Sequence, residues 1–139
     1  MKYQYFLATR WRNRDIALPL IEKLNLKGKT IYSCFESRHN TERIKEDPEE
    51  AMKVFESKDC WQEDQEINDI FYTDMDGLKN SDTLIMLLPA GKSSHIEAGV
   101  AYGMGKHCIL IEEQEETESV YLIFNKTYKS IDDFINHLP

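Results

Sequence analysis

The run Gly91-Lys-Ser-Ser-His-Ile-Glu97 contains the strongest candidate for a chemically active group, the carboxylate of Glu97. Ser94 and Glu97 are three residues apart at the predicted start of a helix, which is the pattern of a capping box. In that interpretation the two side chains only satisfy backbone N–H groups. A carboxylate at this place can instead attack the anomeric carbon of a sugar, as in retaining glycosidases, and a helix N-terminus favours its ionised form. The motif alone does not decide between these interpretations.

The loop before Glu97 is small and polar. Gly91, Ser93 and Ser94 offer backbone N–H groups and hydroxyls at a helix start, which suits an anion such as phosphate. Gly99 and Gly103 follow four residues apart in the same predicted helix. A helical glycine costs about 1 kcal/mol relative to alanine, so we expect these two to let the helix approach its neighbours closely.

A second group of acidic residues lies between Asp69 and Asp82. We interpret Asp76 and Asp82 structurally, as parts of a helix end and turn in which Gly77 is the C-cap and Asp82 starts the next strand. Asp74 is different, because it could reach the site of Glu97 and share a proton with a leaving base.

An arginine-rich segment, Thr9–Asp15, follows the first predicted strand. Its three arginines, Arg10, Arg12 and Arg14, surround Trp11 and could hold a phosphate and stack on a base, with Arg12 or Arg14 as the preferred phosphate ligands. The alternative is an exposed loop in which an arginine pairs with a helix carboxylate. For any single arginine this alternative is the more common arrangement.

The elements that would position these residues alternate in type. Strands are predicted over five segments: Tyr3–Ala8, Thr30–Phe35, Thr83–Leu88, Cys108–Ile111 and Val120–Phe124. Helices are predicted over Asp15–Leu24, from Pro48 through Phe71 with a break near Lys58–Trp61, over Ser94–Gly105, and from Ser130 onward.

The continuous apolar run of Thr83–Leu88 is typical of a strand buried on both faces. The pattern predicts a single α/β domain over residues 1–139, with a doubly wound, mostly parallel five-stranded sheet and helices on both faces. Ligands of such sheets bind beyond the carboxyl ends of the strands, where Thr9–Asp15, the segment after Phe35 and Pro89–Ser94 should meet.

Composition narrows the choice of partners. The net charge of −8 over 139 residues argues against nucleic acid and against an anionic membrane as partners. The first residues, MKYQYFLATRW, lack the apolar core of a signal peptide, and no apolar run approaches bilayer length, so we expect a cytoplasmic protein. The three cysteines include no C-x-x-C pair, which fits a reducing compartment. The four histidines, His39, His95, His107 and His137, have no metal-ligand spacing, so neither a metal nor a cofactor is predicted.

Two motifs together resemble the nucleoside 2-deoxyribosyltransferase family. They are D-M-D-G-L-K-N-S-D at 74–82 and E-A-G-V-A-Y-G-M-G-K at 97–106. The related 2-deoxynucleoside 5′-monophosphate N-glycosidases have an arginine-rich loop where this chain has Thr9–Asp15. The resemblance implies a flavodoxin-like fold, cleavage of an N-glycosidic bond, Glu97 as nucleophile, Asp74 as the base-contacting residue, and a homodimer or larger homo-oligomer. The family's transferases carry an acid in the loop before the glutamate, whereas residues 90–95 have a lysine and two serines, which suit a 5′-phosphate.

The leading hypothesis is therefore an N-glycosidase or deoxyribosyltransferase that acts on a nucleoside or a nucleoside 5′-monophosphate. Two rivals remain open at this point. One is a non-catalytic, nucleotide-sensing protein on the same fold. The other is a structural protein in which Ser94 and Glu97 form only a capping box.

Overall fold

A computed structural model describes residues 1–37, 40 and 42–139 of the chain. The described residues form a five-stranded sheet in the order β2-β1-β3-β4-β5, and every pair of neighbouring strands is parallel. Its strands are β1 (Tyr3–Ala8), β2 (Ile31–Tyr32), β3 (Ser81–Leu87), β4 (His107–Ile111) and β5 (Lys126–Tyr128). This order confirms the predicted doubly wound fold and is that of flavodoxin-like proteins. The strand order reverses between β1 and β3, because β2 lies on the outer side of β1 while β4 and β5 lie beyond β3. A crevice forms at such a reversal, beyond the carboxyl ends of the two strands at Ala8 and Leu87.

Helices cover both faces of the sheet. They are α1 (Arg14–Leu26), α2 (Pro48–Glu56), α3 (Gln65–Lys79), α4 (Lys92–Gly103) and α5 (Ile131–Asn136). One core cluster joins α1, α2 and α5 to the sheet through Leu20, Ala51 and Phe134, all of them almost fully buried. The opposite cluster joins α3 and α4 to the sheet through Leu78 and Ala98. In the described part of the chain, no helix is both long and apolar enough to cross a bilayer.

β2 is shorter than predicted. The strand ends at Tyr32, because the Ser33 hydroxyl accepts a hydrogen bond from the Phe35 N–H and residues Cys34–Glu36 turn into a 3-10 helix. Phe35 is apolar and buried like Tyr32, so the sequence pattern predicts a longer strand although the backbone has already turned. The early turn carries the Cys34 side chain to the carboxyl edge of the sheet.

The predicted strand at Val120–Phe124 is wrong. Residues Ser119–Ile123 form a 3-10 helix, and β5 begins only at Lys126. Asn125 marks the start of pairing with β4, since its backbone N–H donates to the Cys108 carbonyl and its side-chain oxygen accepts from the Cys108 N–H, each at 2.8 Å.

The long helical stretch is broken where the sequence indicated. α2 ends at Glu56, and α3 begins after Asp64, whose carboxylate accepts a capping hydrogen bond from the Ile67 N–H at 3.0 Å. Gly77, however, is not a C-cap. It lies inside α3, which continues to Lys79.

Candidate active site

A cleft of about 590 Å³ opens at the carboxyl edge of the sheet, beside the ends of β1, β2 and β3. It lies where the sequence predicted three segments to meet. The segment after β1 contributes Thr9–Arg12, the segment after β2 contributes Cys34, and the loop after β3 contributes Gly91–Ser93. Asp74 and Glu97 line the same cleft. The structure thus brings both predicted catalytic residues together.

Buried hydrogen bonds fix the two loops that flank the cleft relative to each other. The Thr9 hydroxyl donates to the Leu87 carbonyl at 2.9 Å, at the end of β3. The Asn13 amide donates to the Thr9 hydroxyl at 2.8 Å and also to the Pro89 carbonyl. Because Thr9 and Asn13 are almost fully buried, these bonds are shielded from water. They hold the arginine-rich segment against the loop that leads to Glu97.

Glu97 lies in the second turn of α4, not in its first. The helix begins one turn earlier than predicted, with Gly91 as its N-cap and Lys92 as its first residue. The predicted capping box of Ser94 and Glu97 is therefore wrong, and with it the explanation of Glu97 as a purely structural cap.

The ionisation state of Glu97 also differs from expectation. Burial, assisted by the negative charge of Asp74, raises the pKa of the Glu97 carboxyl to about 8 from its ordinary value of 4.5. Stabilisation of the ionised form by the helix N-terminus was the wrong expectation. The helix field acts mainly within the first turn, which ends before Glu97, and loss of hydration outweighs it.

Asp74 projects from α3 and is held by a tyrosine that the sequence analysis did not select. The Tyr32 hydroxyl donates a hydrogen bond to Asp74 Oδ1 at 2.6 Å. Burial and this contact with Asp74 raise the pKa of the Tyr32 hydroxyl, so it remains a neutral donor. Tyr32 lies at the end of β2. The sequence around it is that of a short apolar strand, which does not distinguish Tyr32 from an ordinary core residue.

The thiol of Cys34 completes the acidic end of the cleft. Burial raises the pKa of the Cys34 thiol, and the charges of Asp74 and Glu97 raise it further. The thiol therefore stays protonated and adds no negative charge near the two carboxyl groups.

The loop at the start of α4 presents part of its predicted anion site to the cleft. Gly91 and Ser93 line the cleft, as does Lys92, while Ser94 is fully buried and is not among the lining residues. Within the described residues, the Ser94 hydroxyl has no hydrogen-bond partner. The structure therefore places the Ser93 hydroxyl, and not that of Ser94, at the cleft.

His95 braces this loop from its outer side. Its ring is within 2.7 Å of the Gly91 carbonyl oxygen through Nδ1 and of the Tyr121 hydroxyl through Nε2. The 3-10 helix that replaces the predicted strand is what supplies Tyr121. A histidine predicted to have no metal role thus links the start of α4 to residues Ser119–Ile123.

The arginines divide into different roles. Arg12 lines the cleft and forms ion pairs with Glu49 at 2.7 Å and Glu56 at 2.8 Å, both on α2. Arg14 is not among the lining residues, and it bonds instead to Asp15 and to the carbonyls of Ile44 and Glu46. The structure thus brings Arg12, but not Arg14, to the predicted binding site.

Arg10, the arginine that was not preferred for the phosphate, lines the cleft and is exposed. Its side chain hydrogen-bonds Asn13 at 3.3 Å. Trp11 also lines the cleft, buried and stacked on Phe35 with ring centroids 4.8 Å apart. Its inner ring face is therefore occupied by Phe35.

The far wall of the cleft comes from residues that sequence reasoning missed. They share no motif and lie on α2, α3 and the segment before α2, namely Asn40, Arg43, Met52, Phe55, Glu56 and Ile70. Helical periodicity marks Met52, Phe55 and Ile70 as apolar-face residues, but it does not show which of them reach a cleft.

The histidines do not gather into a metal site in the described part of the chain, where no group of three potential ligands is found. His39 lies outside the described residues. His107 is exposed at the start of β4, and His137 contacts Asp133 on α5.

The arrangement combines groups needed to break a bond to a sugar. A carboxyl group and a second acidic side chain share one partly enclosed cleft, while backbone N–H groups, a serine and a lysine border its other end. Two carboxyl groups in one site can divide the roles of nucleophile and proton donor.

Comparison with solved structures finds the same fold in enzymes of nucleoside and nucleotide chemistry. A 2-deoxyribosyltransferase from Bacillus psychrosaccharolyticus aligns over 96% of this chain and 91% of its own, with a TM-score of 0.63 and 15% identity. A CMP N-glycosidase from Clostridium botulinum aligns over 95% and 93%, with a TM-score of 0.54 and 22% identity. Both belong to the family that the sequence motifs resemble. No family model and no curated protein matches the sequence. At these identities the likeness establishes the shared fold.

Proposed function

We propose that this protein cleaves or transfers the N-glycosidic bond of a nucleoside 5′-monophosphate, with Glu97 as the nucleophile. The observation that carries the proposal is the joint placement of Glu97 and Asp74 in one cleft at the β1/β3 crevice. Ligands of this fold bind at that crevice. The two structural neighbours, one a 2-deoxyribosyltransferase and the other a CMP N-glycosidase, add support.

In the first step, a Glu97 carboxylate oxygen forms a bond to C1′ of the sugar while the bond from C1′ to the base nitrogen breaks. The electron pair of that bond leaves with the base, which takes a proton from water, and the ionised Asp74 holds the base by accepting a hydrogen bond from it. Water or a second base then displaces Glu97 from C1′ and releases a proton to solvent, which restores the carboxylate. The raised pKa of Glu97, about 8, means that the reactive ionised form grows as the pH rises toward that value.

The phosphate would lie at the start of α4. Gly91 and Ser93 border the cleft there, Lys92 is exposed beside them, and Arg10 lines the cleft from the facing segment. An anion between a helix start and two cations is favoured by backbone N–H groups and by charge. Arg12 also lines the cleft, but its guanidinium already pairs with Glu49 and Glu56.

We also propose that the protein acts as a homodimer or larger homo-oligomer in the cytoplasm. The support is an apolar surface on the α3/α4 side of the sheet, where half or more of each large side chain of Phe71, Tyr72, Ile96 and Tyr102 is exposed. Gly99 and Gly103 lie on the same helix, α4, and a Cβ on either would meet nothing within 4 Å among the described residues. The predicted close approach of these glycines to neighbours within the chain is therefore wrong.

The main alternative is a nucleotide-binding or sensing protein that does not turn its ligand over. The protonated state of Glu97 at neutral pH favours this alternative, because a protonated carboxyl group is a poor nucleophile.

The deciding experiment incubates the protein with a panel of ribo- and deoxyribonucleoside 5′-monophosphates at pH 8 and measures free base by chromatography. The proposal predicts base release that is lost in Glu97→Gln. Binding of a nucleotide without release of base from any panel member would establish the sensing alternative instead.

A further inference from the structure

The ring of Tyr32, at the end of the two-residue strand β2, is held by two other aromatic rings. Its ring stacks on Phe6, with centroids 5.3 Å apart and planes 10° apart, and Tyr3 packs edge-on against it at 5.6 Å. The side chain is buried, and it is not among the residues that line the cleft. Tyr32 therefore cannot act on a ligand directly, and any effect on the reaction must pass through a neighbour.

That neighbour is Asp74, and the backbone of α3 fixes the contact. A Cβ atom on Gly77 would lie 2.7 Å from two ring carbons of Tyr32, which is closer than non-bonded carbons approach. Gly77 is three residues after Asp74, so the two occupy the same face of α3. The ring thus lies against bare helix backbone at Gly77, and its hydroxyl reaches Asp74 Oδ1 one turn earlier, at 2.6 Å.

We infer that Tyr32 is a positioning residue for Asp74, and that the glycine of the D-x-x-G motif is required because it admits the Tyr32 ring. This inference rests on the proposed function, in which Asp74 holds the leaving base by a hydrogen bond. The hydroxyl fixes one carboxylate oxygen and so sets the plane in which Asp74 meets the base. Loss of this hydrogen bond would relax that alignment.

The test compares Tyr32→Phe with Tyr5→Phe. Both variants keep the ring and remove a partly or fully buried hydroxyl, but Tyr5 packs against Phe134 on the opposite face of the sheet. We expect kcat/KM for base release to fall by about 10- to 100-fold in Tyr32→Phe, the usual effect of losing one hydrogen bond to a charged group, and to stay within about twofold in Tyr5→Phe.

A double-mutant cycle with Asp74→Ala separates positioning from general support of the fold. If Tyr32 acts through Asp74, Tyr32→Phe has no further effect once Asp74 is alanine. An equal loss with and without Asp74 would overturn the inference, since a purely structural role would cost activity in both backgrounds.

A titration of the Asp74 carboxyl by carbon-detected NMR gives a result that does not depend on turnover. Among the described residues, the titratable groups that face Asp74 include Tyr32 and Cys34, at and after β2, and Glu97 on α4. Removing the Tyr32 donor should move the Asp74 titration to higher pH, and Tyr5→Phe should leave it in place. An unmoved titration overturns the inference. Absence of base release by the wild-type protein overturns the proposed function instead, so the two failures are distinguishable.

Discussion

Glu97 and Asp74 line one cleft, close enough that the negative charge of Asp74 adds to burial in raising the pKa of the Glu97 carboxyl to about 8. The two side chains come from different helices, α4 and α3, on the same face of the sheet. Their proximity follows from the strand order, since β3 joins these two helices and runs beside β1 at the crevice. Several properties of the protein should depend on this pair.

The first is the pH dependence of activity. Because Glu97 must be ionised to attack, kcat/KM for base release should rise about tenfold per pH unit below the Glu97 pKa of about 8 and level off above it. Initial rates measured between pH 5.5 and 9 with a saturable nucleotide substrate give this profile. A profile that is flat from pH 6 to 9 would be incompatible with Glu97 as the nucleophile.

The second is the pH dependence of stability. Between about pH 4.5 and 8, folded Glu97 retains a proton that the unfolded chain has lost, so the free energy of unfolding falls as the pH rises through this window. Glu97→Gln removes the ionisable group. We expect the variant to gain stability relative to the wild-type protein as the pH rises, reaching a few kcal/mol at pH 9.

Urea denaturation of both proteins at pH 5 and at pH 9 measures this difference. Glu22→Gln, a change of an exposed α1 glutamate, serves as the matched control and should show no such trend. A Glu97→Gln difference that is the same at both pH values would contradict the assigned burial of the carboxyl group.

Lys92 provides a test of phosphate recognition. Lys92→Ala should raise KM for a nucleoside 5′-monophosphate about tenfold, because an exposed cation at the cleft is lost, and should leave kcat nearly unchanged. The same variant should show no change with the corresponding nucleoside. Lys23→Ala, which removes a lysine paired with Asp132, is the control. Equal effects on nucleoside and nucleotide would place the phosphate elsewhere.

Two glycine variants test the packing of α3 against Tyr32. Gly77→Ala should destabilise the protein by about 1–3 kcal/mol, since the new methyl group meets the Tyr32 ring at 2.7 Å and overpacking has this typical cost. Gly103→Ala, in α4 with open space around its Cβ, should instead be neutral or stabilising by up to about 1 kcal/mol. Thermal unfolding of the two variants gives both values, and a stabilised Gly77→Ala would show that the ring is not held against the helix.

The sequence contained enough information to predict the sheet and the meeting of three loops at its carboxyl edge. The apolar run of β3 and the helical periodicity of α1 and α4 are local patterns. Such patterns show which faces of a strand or helix are buried, so these elements could be predicted. The pairing of Glu97 with Asp74 also followed from two motifs that resemble one family. The predicted strand at Val120–Phe124 is wrong because the apolar run there forms a 3-10 helix that supports His95 through Tyr121.

Other parts of the site could not be predicted, because they depend on contacts between residues distant in sequence. Tyr32 and Asp74 are 42 residues apart, and only the packed structure brings the hydroxyl to the carboxylate. Gly77 was interpreted as a helix end because glycine commonly ends helices. Its role inside α3 becomes visible only when the Tyr32 ring is seen against it.

The central claim, that Glu97 attacks the sugar, is tested most directly by trapping the covalent intermediate. A 2′-fluoro-2′-deoxynucleoside 5′-monophosphate is suitable, because the electronegative fluorine destabilises the oxocarbenium-like transition state and slows breakdown of the ester. After incubation and acid quench, mass spectrometry of the digested protein should show the added sugar phosphate on the peptide that contains Glu97, and no addition in Glu97→Gln. Release of base from this analogue with an unmodified protein, or with the addition on another residue, would contradict the account.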